Sequence, residues 1–118
     1  MPVRGLRGAI TVAANEATAV RRATRDLLEA LAAANGISPD DVASVIFTVT
    51  PDLDADYPAR AARDLGWTNV ALLGATELAV PGGLARCIRV LLHWNTDRHP
   101  RDLKHIYLGD ATQLRPDR

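Results

Sequence analysis

Two arginines stand where charge is expensive. Arg89 lies within Cys87-Ile88-Arg89-Val90-Leu91-Leu92, and Arg7 lies between Gly5 and Ala9 in an N-terminal segment that also holds Leu6, Ile10 and Val12. Strand alternation puts Ala85, Cys87, Arg89, Leu91 and His93 on one face. A guanidinium cannot face a dry core unpaired, because stripping its water costs several kcal/mol or more. Each arginine therefore calls for an anion, either a protein carboxylate or the carboxylate of a ligand. Glu77 sits in the apolar stretch Ala75-Thr76-Glu77-Leu78-Ala79. It can be the salt-bridge partner of Arg89 or the acceptor for a substrate hydroxyl. Tyr107, in Ile106-Tyr107-Leu108, offers a hydroxyl at the end of a packing side chain.

Other chemistry finds no support. Asp52, Asp54 and Asp56 imitate the first ligands of a calcium loop, but Tyr57 occupies the position that needs glycine and Arg63 the one that needs glutamate. His93, His99 and His105 lack metal-ligand spacing, so no metal site is expected. Cys87, the single cysteine, reads as a small buried hydrophobe and leaves no intrachain disulfide to form. Gly82-Gly83 alone is too little for a phosphate loop. Fourteen basic and fourteen acidic residues cancel to a formal net charge of zero. That argues against nucleic acid as partner, which is held through an excess of basic charge. No apolar run is long enough for a membrane span and no signal-peptide core opens the chain, so a soluble, cytoplasmic protein is expected.

The elements that must position these residues follow from periodicity. At 118 residues the chain fits one domain, residues 1–118. Residues 2–12 read as a strand. Residues 16–35 read as a helix with the stripe Val20, Ala23, Thr24, Leu27, Leu28 and Leu31, with Asn15 as N-cap and Asn35-Gly36 as its stop. Ser38-Pro39-Asp40-Asp41 has the order of a short helical turn. Residues 42–50 are apolar on both parities and are expected to be covered on both faces. An acidic loop then leads to a short helix over 58–65. Residues 67–75, 84–94 and 105–108 read as strands. The order β-α-β-α-β-β-β predicts an α+β fold, a mixed β-sheet with helices on one face.

Five segments occur in order. They are Arg4-Gly5-Leu6-Arg7-Gly8-Ala9, Thr50-Pro51-Asp52-Leu53, Gly82-Gly83-Leu84-Ala85-Arg86-Cys87-Ile88-Arg89-Val90, His105-Ile106-Tyr107-Leu108 and Leu114-Arg115-Pro116-Asp117. Together they resemble the monofunctional AroH-class chorismate mutases, the small trimeric bacterial type, from residue 2 to 117. The resemblance implies conversion of chorismate to prephenate, an intramolecular Claisen rearrangement on the way to phenylalanine and tyrosine. It needs no cofactor, metal, nucleophile or general base.

It further implies a homotrimer in which three sheets form a pseudo-barrel, with sites between subunits. Arg89 matches the arginine that meets the ether oxygen, and Arg7 and Tyr107 match positions that bind the side-chain carboxylate. Glu77 matches the acceptor for the ring hydroxyl. Tyr57, Ala59, Arg60, Leu72, Leu73, Gly74 and Leu114 match pocket walls, and Arg63 and Arg115 further cationic positions. The implied division puts Arg7, Glu77, Arg89 and Tyr107 on one chain, and the Tyr57–Arg60 wall with Leu114 and Arg115 on its neighbour.

Some positions depart from the pattern. Tyr57 and Arg60 often correspond to Phe and Lys, and Gly74 stands where a cysteine donor is found. The chain also stops three residues after Arg115. Less cover from a short tail is expected to affect substrate capture more than bond-making. The competing reading is a non-catalytic trimeric module that binds a small carboxylate metabolite.

Overall fold

The computed structural model describes residues 1–114. Its main elements are β1 (Val3–Thr11), α1 (Ala17–Asn35), β2 (Val42–Val49), α2 (Ala59–Asp64), β3 (Ala71–Thr76), β4 (Cys87–Asn95) and β5 (Ile106–Leu108). Short 3-10 turns lie at Pro39–Asp41, Pro100–Asp102 and Gly109–Leu114. The strands form one mixed sheet in the order β3-β2-β4-β1-β5. Central β4 runs antiparallel to β1 and β2, while β3 joins β2 and β5 joins β1 in parallel. This is the mixed α+β architecture that the periodicities predict.

Period two in the strands and period 3.6 in α1 meet in one core. Leu6 and Ile10 of β1, Ile88, Val90 and Leu92 of β4, and Val45 and Phe47 of β2 point to the same face. They pack against Val20, Leu27, Leu28 and Leu31 of α1 and Ala62 of α2. Gly8 lets α1 approach this face. A Cβ there would lie 3.0 Å from Leu31 Cδ1, 3.1 Å from Leu27 Cδ1 and 3.2 Å from the Ile106 carbonyl. Gly36 ends α1 in the left-handed conformation, φ 71°, that glycine adopts without Cβ strain. Asn35 beside it is fully buried and bonds the backbone of Lys104 through both its Oδ1 and its Nδ2, tying the helix end to the lead of β5.

Four local expectations change. Glu16, not Asn15, occupies the N-cap position, and it makes no side-chain cap. Asn15 is diverted to the acidic loop, accepting from the backbone N–H groups of Asp54 and Ala55. Within the single chain β2 is covered on one face only. Val42, Val45 and Phe47 are buried, while Ile46 and Thr48 are partly open. A register shift between Val42 and Ser44 adds apolar positions on both parities without covering both faces. Trp67 is buried, but its N–H closes the end of α2 on the Ala62 carbonyl, so β3 starts later than residue 67. Arg86 takes a positive φ of 46°, a turn that delays β4 to Cys87.

Among the described residues, no helix is long and apolar enough to cross a membrane.

Candidate active site

The face of the sheet away from the helices carries Arg7 and Arg89. Register places Ala75, Thr48, Arg89, Ala9 and Tyr107 in one row across β3, β2, β4, β1 and β5. Directly paired residues share a face, so this row is continuous. Arg7 lies two residues before Ala9 on β1 and is paired with Leu91. Beyond the row on the other side, the 3-10 turn Gly109–Leu114 folds back so that Ala111 packs on Ala9 and Cys87, beside Tyr107 and Leu114. The small side chains of Ala9 and Ala75 leave room beside the long ones.

Arg89 is the meeting point. With Arg7, Tyr107 and Leu114 it lines a cleft of about 210 Å3. With Glu77, Cys87, Thr50 and Asp52 it lines a second of about 370 Å3. Glu77 follows β3, and its N–H on the Val49 carbonyl extends the ladder by one step. Its Oε1 stands 3.2 Å from Arg89 Nε and accepts from the Thr48 hydroxyl at 3.3 Å. Its Oε2 accepts from the N–H of Leu78 at 3.0 Å. The pair is half open to solvent, with side chains 46% and 22% exposed for Arg89 and Glu77. A pair so exposed stabilises a fold by about 1 kcal/mol at most, so little holds the guanidinium from an incoming anion. Of the two readings of Glu77, the salt bridge to Arg89 is the one present in the chain by itself.

The wall positions gather elsewhere. Tyr57, 73% exposed, shares a cleft of about 470 Å3 with Phe47, Val49, Leu53 and Gly74 at the β3 edge. Ala59, Arg60 and Arg63 follow on or beside the first turns of α2, with both arginines exposed. Leu73 is 63% exposed and shares the open face with Ile46. Leu72 turns the other way and packs on the main core, because it pairs with buried Val45. Its side chain supports the strand and is unavailable to a wall on the open face. A Cβ added at Gly74 would meet nothing within 4 Å, so only backbone groups act there. Leu114 also moves. It lines the cleft of its own chain's Arg7, Arg89 and Tyr107, not a surface grouped with Tyr57. Arg115 lies outside the described residues.

Two features escaped the reading of the sequence. Asp52 accepts from the Arg86 N–H and the Thr50 hydroxyl and so holds the left-handed turn before β4. Hydrogen bonding, first from Thr50, keeps its carboxyl below the usual carboxylate range. Asp56 receives Arg21 Nε at 2.6 Å, and that bond likewise lowers its carboxyl below the ordinary value. The alternating aspartates thus fasten a loop, and only their shared position after a strand hinted at it. Cys87 is buried, which pushes its thiol up from the ordinary value and away from nucleophilic chemistry. Among the described residues no cluster of His, Cys, Asp or Glu is suited to a metal ion.

Comparison with known proteins gives the family. A family model described as chorismate mutase type I matches residues 3–118. Chorismate mutase AroH of Thermus thermophilus is 53% identical over 116 residues, covering 98% of this chain and 95% of that protein. Chorismate mutase AroH of Bacillus subtilis is 40% identical over 118 residues, covering 99% and 93%. A solved chorismate mutase from Clostridium thermocellum superposes with a TM-score of 0.93 at 50% identity, covering 94% of this chain and 99% of its own. The chain belongs to the chorismate mutase type I family, whose members are isomerases.

Proposed function

We propose that the whole chain, residues 1–118, works as one chorismate mutase domain, and that the charged end of its open sheet face is the catalytic half of a site for chorismate. The observation that carries the proposal is the group in which Arg89 stands 3.2 Å from Glu77 and shares a cleft with Arg7 and Tyr107. A cation and an acceptor offered side by side suit a substrate that bears both carboxylates and a hydroxyl. A plain carboxylate binder has no use for the acceptor.

The reaction breaks one carbon–oxygen bond of the substrate while a carbon–carbon bond forms, with no proton moved. Two tasks are left to the protein. One is to hold the flexible side chain folded over the ring, which Arg7 and Tyr107 do by gripping its carboxylate. The other is to stabilise negative charge growing on the ether oxygen. Arg89 does this from a strand whose ladder is fixed on both sides, so no reorganisation is needed at the moment of reaction. Glu77 receives the ring hydroxyl and faces the carbon that turns positive. On this reading Arg7, Glu77 and Arg89 are catalytic, and Tyr107 and Leu114 complete their side of the cleft.

The opposite wall comes from a second copy of the chain. Tyr57, Ala59, Arg60, Arg63, Leu73 and Gly74 belong to the β3 edge or α2, whereas Tyr107 is on β5 at the far edge. Four inter-strand steps of ~4.8 Å separate those edges, roughly 19 Å. Glu77 reaches inward from the β3 end to within 3.2 Å of Arg89, but Tyr57 lines a separate cleft in which Arg7, Arg89 and Tyr107 take no part, so a substrate held by those three does not meet the wall of its own chain. The open face of Ile46, Leu73 and Leu91 also needs a covering surface, and a homotrimer with its sheets turned inward supplies both.

The test is to add purified protein to chorismate with excess chelator and follow the loss of the substrate's ultraviolet diene absorbance. Turnover is expected without metal or cofactor and with little pH dependence of the chemical step near neutrality. A protein that leaves chorismate unchanged, or turns it over only with added metal, refutes the mechanism.

A further inference from the structure

The wall residues Tyr57 and Arg60 stand at the end of a loop with little core of its own. Of the apolar side chains in residues 51–57 only Leu53 joins the core, at 4% exposure. What fixes the end of the loop is the Asp56 carboxylate, 7% exposed, and the way its two oxygens are divided. Oδ2 takes the short bond from Arg21 Nε of α1, at 2.6 Å. Oδ1 accepts from the N–H of Tyr57 at 2.8 Å and lies 3.5 Å from Arg60 Nε. One negative charge thus faces two guanidiniums, and the nearer one belongs to α1, outside the wall positions. Among the described residues Arg60 keeps only a long contact, and its side chain is 52% exposed.

We propose that Arg21 is a positioning residue for the substrate wall, holding the charge of Asp56 so that Arg60 stays free to bind the anionic substrate. The inference rests on the assignment of Tyr57 and Arg60 to that wall. Without Arg21, the undivided carboxylate draws in Arg60, the nearest remaining cation. The substrate then competes with Asp56 for the same guanidinium. The contact is a binding contact on a remote side chain, so its loss raises KM and leaves kcat near its original value.

The experiment measures kcat and KM for chorismate in Arg21→Met, Asp56→Asn, the double variant and Arg60→Met. Arg21→Met is expected to raise KM about 3- to 5-fold, the reach of a half-exposed ion pair, with kcat within about twofold. Adding Asp56→Asn to Arg21→Met is expected to bring KM back toward the parent. The amide has no charge with which to hold Arg60, and its oxygen still accepts from Tyr57. A merely structural anchor would give the opposite result, with the double variant no better than Arg21→Met, and that result overturns the proposal. Should Arg21→Met fail to fold, Arg21→Gln with and without Asp56→Asn carries the same comparison. An unchanged KM in Arg21→Met beside a raised KM in Arg60→Met refutes this inference and leaves the wall standing. An unchanged KM in Arg60→Met removes the wall assignment, and the inference with it.

Discussion

Arg89→Ala separates a catalytic arginine from a structural one, because the structure assigns very different sizes to the two roles. If Arg89 only pairs with Glu77, its removal costs a half-exposed ion pair, about 1 kcal/mol or less. Glu77 is not orphaned by the change, since Thr48 and the Leu78 N–H still bond its two oxygens. The neighbouring core is untouched, because Ile88, Val90 and Leu92 point to the other face. Stability in urea is therefore expected to shift by no more than about 1 kcal/mol. Catalysis is expected to respond on another scale. Losing one preorganised donor at a developing oxyanion costs about 10²–10³ in kcat, or about 2.7–4 kcal/mol. Arg89→Lys keeps the charge but replaces a planar fork by a point donor, and it is expected to stay severely impaired. Chorismate turnover by absorbance, read beside urea unfolding of the same preparations, gives both numbers. Near-parental kcat in Arg89→Lys would refute the geometric argument. A loss of several kcal/mol of stability in Arg89→Ala, with the remaining folded protein fully active, would return the residue to a structural role.

Gly8→Ala inserts a methyl group 3.0 Å from Leu31 and 3.2 Å from the Ile106 carbonyl, and urea unfolding is expected to show a loss of about 1–3 kcal/mol; an unchanged midpoint means that α1 sits less tightly on the sheet. Asp52 and Asp56 have carboxyls held below their ordinary value of ~3.9, so the stability they contribute is present above that pH and fades as pH falls through their lower folded values. Unfolding midpoints taken from neutral pH down to acid are expected to fall less steeply in Asp52→Asn/Asp56→Asn than in the parent, and equal slopes would assign the acid sensitivity to other groups. For the shared site, Arg89→Ala and a Tyr57→Ala/Arg60→Ala variant, each poorly active, are refolded together. Activity above the parental average is expected, since some clefts then pair two intact halves, and its absence in mixed trimers confirmed by native mass spectrometry means a site contained in one subunit.

Patterns of local origin are legible in the amino-acid sequence alone. The stripe Val20 to Leu31 is buried along α1 as its spacing predicts, and Asn35-Gly36 ends it. Alternation places Arg89 on the face opposite Ile88 and Val90, and the structure agrees. These follow from backbone periods and the cost of burying charge, which each residue carries with it. The family, too, is readable from segments spread over the chain.

What adjacency in space decides is not readable in this way. Pairing Arg89 with Glu77 needs the order β3-β2-β4-β1-β5, which brings a residue beyond an edge strand beside one on the central strand. Leu72 and Leu73 look alike as letters, and only the register with Val45 and Ile46 sends one to the core and the other to the open face. Asn15 leaves its expected cap because the Asp54 loop offers two N–H groups nearby. Asp56 resembles a failed calcium ligand in the sequence, yet α1 brings Arg21, 35 residues away along the chain, to its side. A side chain's partner is set by which elements the core packs together, and that choice belongs to the fold as a whole.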